Sequence, residues 1–504
     1  MQLSRKILSS LNDNINSVPS EGVFDLPEKV LQFGTGVLLR GLPDYYIDKA
    51  NKQGVFNGRV VMVKSTDSGD TTAYETQDAL YTQCIMGIAE QQMTREYIVN
   101  AAVSRLLSAK SQWSQVLECA ADPLIEIIIS NTTEVGIVLM KEDNVHAQPP
   151  ISFPAKLLAF LYERYHCFHG DIHKGMLIIP TELIPGNGEL LRSIVLQLAE
   201  LNNMDHRFID WLEAANCFCN SLVDRIVPGK LPAPQQQEAE ALLGYTDQLM
   251  IASEPYSLWA IETSSRKARS MLSFAAADNT VIITNDINKY RELKLRLLNG
   301  THTFTSGLAF IAGAALVKDA MQNQLLRQYV ESLMKDEIAP CICDESISAT
   351  EALAFCNQLM DRFSNPFIEH KWLSITLNYT EKMKRRNVPM LLKYYELKAS
   401  VPHYMALGFA AYLLFMQCKS AANGNYEGER NGFTYIIQDE QAHYFCTHWA
   451  AQPFEKIAAT ILSDRDMWNA DLNALPGFVE AVQAYMDAIN QNGVLATLQS
   501  LVKA

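Results

Sequence analysis

The sequence predicts an α/β domain with a mostly parallel sheet over residues 1–285, followed by an all-α domain over residues 286–504. Three observations lead there. Short, continuously apolar runs ending in polar turns recur as far as Val281–Thr284, as expected of parallel strands buried on both faces. After Asp286 such runs nearly vanish, and helical periodicity takes over at 290–316, 318–335, 347–363, 386–396, 402–419, 453–463 and 474–502. At 504 residues the chain is too long for one ordinary domain.

Residues 29–70 read as a βαβ unit. Val30–Phe33 is a short buried strand, Gly34-Thr35-Gly36 a turn, Val37–Ala50 a helix and Arg59–Ser65 a second strand. A glycine turn between strand and helix lets backbone N–H groups approach a pyrophosphate at the helix start, which makes the domain Rossmann-like and Gly34, Thr35 and Gly36 candidate cofactor ligands. The third glycine of the dinucleotide fingerprint would fall on Leu39, so the motif is incomplete. Asp67, just past the second strand, is placed to accept hydrogen bonds from both ribose hydroxyls of NAD. The competing reading is a turn aspartate in Ser65-Thr66-Asp67-Ser68-Gly69, and Lys64 nearby leaves NADP open behind NAD. Pro123–Ser130 is the next strand, and Asn131 at its carboxyl end stands where ligands bind in open α/β sheets. Gly175–Pro180 is another strand, followed by a turn containing Glu182 and Leu183, and Glu189–Leu201 reads as an amphipathic helix. Ala421–Gly432 reads as a polar, glycine-rich loop in the helical half.

The stretch Tyr290–His302 (YRELKLRLLNGTH) carries the chemistry. Lys294, Asn299 and His302 sit among Leu293, Leu295, Leu297 and Leu298, apolar enough for a packed helix. At 100° per residue the three polar side chains fall within an arc of about 140° and share a face. A desolvated lysine is a candidate general base, and an amide with an imidazole can hold an oxygen. The plainer alternative is a snorkelling surface lysine and an Asn299-Gly300 helix cap.

Composition narrows the function classes. The chain is 48% hydrophobic and 19% charged, as soluble globular proteins are, with a formal net charge of -14. That charge disfavours nucleic acid and anionic membranes as partners, and an anionic substrate would need a local basic patch. The N-terminal MQLSRKILSSLNDNINSVPS lacks a signal-peptide core, and the apolar run Leu407–Met416 is too short to span a bilayer. A cytoplasmic protein with no obligate protein partner is expected. Ten cysteines without CxxC or zinc spacing are expected to be reduced, and His166, His169 and His173 to lie in a surface connection, with no metal site.

The KLRLLNGTH run matches the KxxxxNxxH pattern of the mannitol dehydrogenase family of long-chain polyol dehydrogenases, and GTGVLLRG resembles its GxGxFxR loop. NSLVDRIVP, EPYSLW and DRFSNP resemble family segments in the same order, so the resemblance covers nearly the whole chain. Within the family, LQFGTGVLLRG, VVMVKSTDSGD, ISNTTEVGI and IIPTELIPGNG look most like the members that interconvert hydroxy and keto sugar acids with NAD(H). The resemblance implies Lys294 as general acid/base, Asn299 as hydrogen-bond donor to the reacting oxygen, and His302 as a substrate-positioning group. It implies Gly34, Gly36 and Asp67 as cofactor ligands, Asp224 of VDRI in or near the substrate site, a sugar-acid substrate and no metal. Polyol-oxidising members have an asparagine where Leu183 stands, so either Asn299 acts alone or a donor such as Asn131 substitutes. In EKMKRRNVP, Arg385 is expected to bind the substrate carboxylate, with Arg386 or Lys384 as fallback; the competing reading is a solvated loop. The alternatives are a reductase of fructuronate or a polyol 2-dehydrogenase within the family and a non-catalytic NAD-binding sensor or scaffold outside it.

Overall fold

The computed structural model describes residues 1–65, 71–132, 136–422, 424–430 and 432–503, and the chain divides into two compact units. Unit 1 comprises Met1–Gly87 and Met93–Ile287; unit 2 comprises Ile88–Gln92 and Asn288–Ala504.

Unit 1 is built on six strands: Glu28–Phe33, Arg59–Lys64, Val103–Ser108, Ile127–Ser130, Leu177–Pro180 and Cys217–Phe218. Counted in that order they lie 3-2-1-4-5-6, every neighbour parallel. This order places a topological switch point between the first and fourth strands, where dinucleotides bind across the carboxyl ends. The strands read as continuous apolar runs because both faces are covered. Leu31, Phe33, Val61, Val63, Ile128 and Ile178 pack one face against helices Phe153–Cys167, Asn187–Leu201 and His206–Ala215. Val30, Val60, Ile127, Ile129, Leu177 and Ile179 pack the other against Tyr46, Ile47, Trp259 and Phe274.

The helix expected over Val37–Ala50 is two helices, Val37–Gly41 and Pro43–Lys52. They meet at Leu42 (φ -129°, ψ -77°), because Pro43 restricts the residue before it to non-helical backbone. Two smaller sheets complete the unit. One joins Ile251–Ser253 to the hairpin Tyr81–Ala89/Gln92–Asn100, and the other joins Val281–Thr284, Leu258–Glu262 and Ser221–Asp224.

Unit 2 is helical, with one addition that the sequence reading lacks. The segment read as a loop forms a three-stranded antiparallel sheet of Cys418–Ser420, Tyr426–Arg430 and Phe433–Ile436. Helix His403–Phe415 is apolar all round, which marks a helix buried on every side; its residues from Met405 to Phe415 are at most 1% exposed, and it packs on helices Thr301–Ile311 and Phe478–Asn492. Among the described residues no helix is long and apolar enough to cross a membrane.

Three stretches of unit 2 adopt the wider π-helical turn: Leu293–Gly300, Leu333–Ile338 and Met383–Asn387. Two have an evident cause. Pro340 and Pro389 follow them after one intervening residue, and a proline has no N–H for the carbonyl four residues earlier and crowds it with its ring. Those carbonyls, of Asp336 and Arg385, accept instead from Lys398 Nζ at 3.4 Å and Arg296 Nη1 at 2.9 Å.

Candidate active site

In unit 1 the glycine turn closes over the carboxyl end of the first strand. Gly34 N donates to Val63 O at 3.0 Å, and Gly34 has φ +129°, a conformation open to glycine alone. A Cβ there would lie 2.8 Å from the Asn131 carbonyl oxygen and 2.9 Å from Leu39 Cδ1. Thr35 is half-buried and Gly36 exposed; a Cβ on Gly36 would meet nothing within 4 Å, and Gly36 caps helix Val37–Gly41. A backbone cradle that excludes side chains at its base and is open above fits a pyrophosphate. Asp67 lies outside the described residues.

The carboxyl ends of the fourth and fifth strands are tied by a polar web. Asn131 does not project freely into the site: its Nδ2 donates to Thr181 O at 3.1 Å and to Thr181 Oγ1 at 2.9 Å. Glu182, 2% exposed, accepts from Thr132 N at 2.8 Å, Thr132 Oγ1 at 3.0 Å and Ser130 Oγ at 3.2 Å. Burial raises its carboxyl above the ordinary range, and these hydrogen bonds pull it back down. Sequence reading passed over Glu182. A carboxylate directly after a parallel strand was the available signal. Leu183 beside it is 58% exposed. Asn187 donates to the carbonyls of Pro180, Glu182 and Ser221, which extends the web to strand Ser221–Asp224.

Asp224 ends that strand opposite Leu258 and is 6% exposed. Its neighbour Arg225 is equally buried; its guanidinium donates to Gly41 O at 2.8 Å and Glu254 O at 3.0 Å. The strand carrying Asp224 is therefore anchored to the helix that follows the glycine turn.

In unit 2, Lys294 and Asn299 lie on the π-helical stretch Leu293–Gly300. The wide turn closes between residues five apart, as an α-helix closes between residues four apart. Lys294 and Asn299, five apart, are thereby stacked on one face, closer than 100° per residue would set them. Both are half-buried, and His302 in the next turn is 8% exposed. The His302 ring stacks on Phe363 (centroids 4.4 Å apart) and meets His370 edge-on at 5.4 Å.

The neighbouring wide turn completes the cluster. Arg296 Nη1 donates to the carbonyls of Arg385 and Arg386, both at 2.9 Å, and so pins the two stretches together. Thr303 Oγ1 donates to Asn299 O at 2.7 Å and accepts from Arg386 Nη1 at 3.2 Å. Arg386 is half-buried, and burial lowers its pKa. Arg385 is turned the other way: its side chain is 79% exposed and pairs with Glu381 on the outer face of the helix. The segment is helical from Tyr379 through Leu397, not a loop, and the outward phase of Glu381 and Arg385 follows from the burial of Met383 and Asn387.

Lys382 is coupled by charge to both Arg386 and His370. Burial first, then Arg386, brings the Lys382 ammonium down to about 8, and burial followed by Lys382 lowers the His370 imidazole. Asn299, Thr303 and Arg386 are thus linked by hydrogen bonds and His302 and His370 by ring contact, while Lys382, whose Nζ donates to Ile375 O at 2.9 Å, acts on Arg386 and His370 through its charge. A separate cavity of about 950 Å³ beside the small sheet, lined by Cys418, Arg430, Trp449 and Gly493, contains none of them. Of the three spaced histidines, His166 packs edge-on against Tyr162 at 4.4 Å. Among the described residues no three His, Cys, Asp or Glu side chains gather as a metal site.

Comparison with known proteins accounts for both halves. The mannitol dehydrogenase Rossmann domain matches residues 28–273, and the mannitol dehydrogenase C-terminal domain matches residues 286–490. The chain belongs to the mannitol dehydrogenase family. As a member of that family it is an NAD-dependent dehydrogenase acting on a CH–OH group. The altronate oxidoreductase of Bacillus subtilis is 37% identical over 477 residues, covering 94% of this chain and 95% of its own length. That of Escherichia coli is 34% identical over 484 residues, covering 94% and 97%. Among solved folds, mannitol 2-dehydrogenase of Pseudomonas fluorescens superposes with a TM-score of 0.70 at 23% identity over all of both chains. A D-sorbitol dehydrogenase does so at 0.76 and 18%, covering 99% of this chain and 100% of its own. These two establish the mannitol dehydrogenase fold for this chain.

Proposed function

We propose that this dehydrogenase interconverts D-tagaturonate and D-altronate in the cytoplasm, without a metal, as a step of hexuronate catabolism. The observation that carries the reading is the Arg386 guanidinium, which donates to Thr303 where Thr303 meets the Asn299 carbonyl. A chain of net charge -14 brings Arg386 to the turn that carries Asn299, with the charge of Lys382 near enough to act on it, as an anionic sugar acid requires and a neutral polyol does not. The resemblance to altronate oxidoreductases over nearly the full length supports the same substrate class.

Gly34, Thr35 and Gly36 would hold NADH, which would supply the hydride for the ketone carbon. The chain's own residues handle charge and protons. Lys294, as ammonium, gives its proton to the forming alkoxide, and Asn299 donates a hydrogen bond to that oxygen while negative charge grows on it. In the oxidising direction neutral Lys294 takes the hydroxyl proton. His302, held flat against Phe363, fixes the orientation of the sugar. Arg386 receives the carboxylate in place of Arg385, since its guanidinium is held at Thr303 instead of facing solvent. Asp67 selects NADH over NADPH by repelling a 2′-phosphate.

A substrate panel followed at the nicotinamide absorbance tests this. Tagaturonate should be reduced with a kcat/KM well above those of fructuronate and fructose. A preference for fructuronate would reassign the chain to the other uronate reductase of its class, and a preference for fructose would make it a polyol 2-dehydrogenase.

A further inference from the structure

Cys217 and Cys219 take no part in the chemistry above, yet they form a distinctive pair. Alternate residues of an extended segment point to the same side, and the two Sγ atoms are 3.8 Å apart. Cys219 is 1% exposed. Cys217 is half-buried and lines a cavity of about 330 Å³ with Gly175, Met176, Lys267 and Met271. Thr263 Oγ1 lies 4.0 Å from Cys217 Sγ. The Cys217 thiol is drawn down, first by its hydrogen bond with Cys219, then by Thr263 and the Lys267 ammonium, against the opposing effect of burial. Cys219 is raised by the same bond and by burial. A partly exposed thiol 3.8 Å from a buried one, and drawn toward ionisation, is the arrangement of an attacking and a resolving cysteine.

We propose that Cys217 and Cys219 are a thiol-redox site that reacts with a small hydroperoxide and closes to a reversible disulfide. The Cys217 thiolate attacks one peroxide oxygen and the O–O bond breaks. Cys217 becomes a sulfenic acid, and the leaving oxygen departs as water or an alcohol after taking one proton. Cys219 sulfur then attacks the Cys217 sulfur. The S–S bond forms, and the sulfenic oxygen leaves as water with the Cys219 proton. Two thiols are oxidised by two electrons and the peroxide is reduced by two. Closure requires the sulfurs to approach from 3.8 Å to about 2.05 Å. Residues two apart on a strand have Cα atoms roughly 6.6 Å apart, near the upper limit for a disulfide. The bond is therefore strained and readily reduced, as a reversible device requires.

The strain has a direct route into the polar web. A Cβ on Gly188 would lie 2.5 Å from the carbonyl carbon and oxygen of Cys219, so these backbones are flush. Asn220 Oδ1 accepts from Gly188 N and Glu189 N, and Ser221 Oγ donates to Pro180 O. Drawing Cys219 toward Cys217 shifts the start of the strand that ends at Asp224, and turnover falls. This last link rests on Asp224 lying in or near the substrate site, as the family resemblance implies; the thiol chemistry does not.

The test treats reduced full-length protein with equimolar hydrogen peroxide, alkylates the remaining thiols and maps the peptides by mass. The expected result is the loss of two hydrogens from the peptide holding Cys217 and Cys219, reversed by dithiothreitol. Exposed Cys167 should react at least about tenfold more slowly. Cys219→Ser should stop at a dimedone-trappable sulfenic acid on Cys217, and Cys217→Ser should abolish the reaction. Oxidation that falls first on other cysteines, or persists in Cys217→Ser, would overturn the site. Unchanged NADH turnover in fully oxidised protein would overturn the coupling to Asp224.

Discussion

Replacing Arg386 by alanine removes the guanidinium held at Thr303 while sparing its neighbours. Thr303 keeps its bond to the Asn299 carbonyl, and Arg296 still bridges the carbonyls of residues 385 and 386, because backbone atoms alone accept there. The fold and the Lys294–Asn299 face should survive. What disappears is a half-buried guanidinium. A charge-assisted hydrogen bond contributes roughly 1.5–3 kcal/mol, and at 1.4 kcal/mol per decade this is a loss of about ten- to a hundred-fold in kcat/KM. The loss should appear with tagaturonate and be much smaller with fructose, which has no carboxylate. Arg385→Ala is the internal control: its side chain is 79% exposed and paired with Glu381, so it should stay within a few-fold of the parent. Steady-state NADH oxidation on the two substrates by the three proteins decides the matter. Equal losses on charged and uncharged substrates, or an Arg385→Ala defect as large as that of Arg386→Ala, would refute the assignment.

Lys294→Ala should lower kcat by about 10²–10⁴-fold while NADH still quenches protein fluorescence; activity within a few-fold of the parent would remove the lysine from the mechanism. Gly34→Ala puts a Cβ 2.8 Å from the Asn131 carbonyl and forces φ +129° on an L-residue. A strain of roughly 1–3 kcal/mol should weaken NADH binding about tenfold or more, and an unchanged titration would show that the turn does not hold the cofactor. Glu337 accepts from Tyr404 N and Met405 N at the start of helix His403–Phe415, and burial raises its carboxyl from 4.5 to about 8. Because the folded-state value is the higher one, its contribution is full below pH 4.5 and is lost as pH rises through about 8. Melting temperatures of the parent and Glu337→Gln should therefore move in the variant's favour between those limits, and a constant difference would contradict the linkage.

The parallel core was legible because buried strands leave continuous apolar runs, and the glycine turn because positive φ leaves few choices of residue. The hairpin Tyr81–Ala89/Gln92–Asn100 was not. Its turn residues, Glu90 and Gln91, both have positive φ (52° and 62°) without the Asn-Gly chemistry that normally announces such a turn. Lys294, Asn299 and His302 were found by spacing and resemblance, but α-helical arithmetic could not show the wide turn that stacks the first two. In EKMKRRNVP an unbroken basic run has no polar–apolar contrast among its charges. The inward residue could be told only from Met383 and Asn387 on either side, and these pick Arg386. Glu182 and Lys382 were passed over because part of each environment is made by a residue remote in sequence: Thr132 for the one, Asp439 for the other.

The proline at 389 gives the basic segment an unusual evolutionary position. Most substitutions that improve a helix are harmless to its neighbours, and a Pro-to-Ala change inside a helix is among the most favourable. Here the defect sets the phase. An ordinary helix through residues 383–389 would supply the Arg385 carbonyl with its own N–H, release Arg296, and rotate Arg386 off Thr303. Selection for a sturdier fold and selection for a competent enzyme therefore pull on this residue in opposite directions. If Arg386 receives an anionic substrate as proposed, a lineage relieved of that substrate is free to tighten the helix, whereas one that keeps it is held to the wide turn.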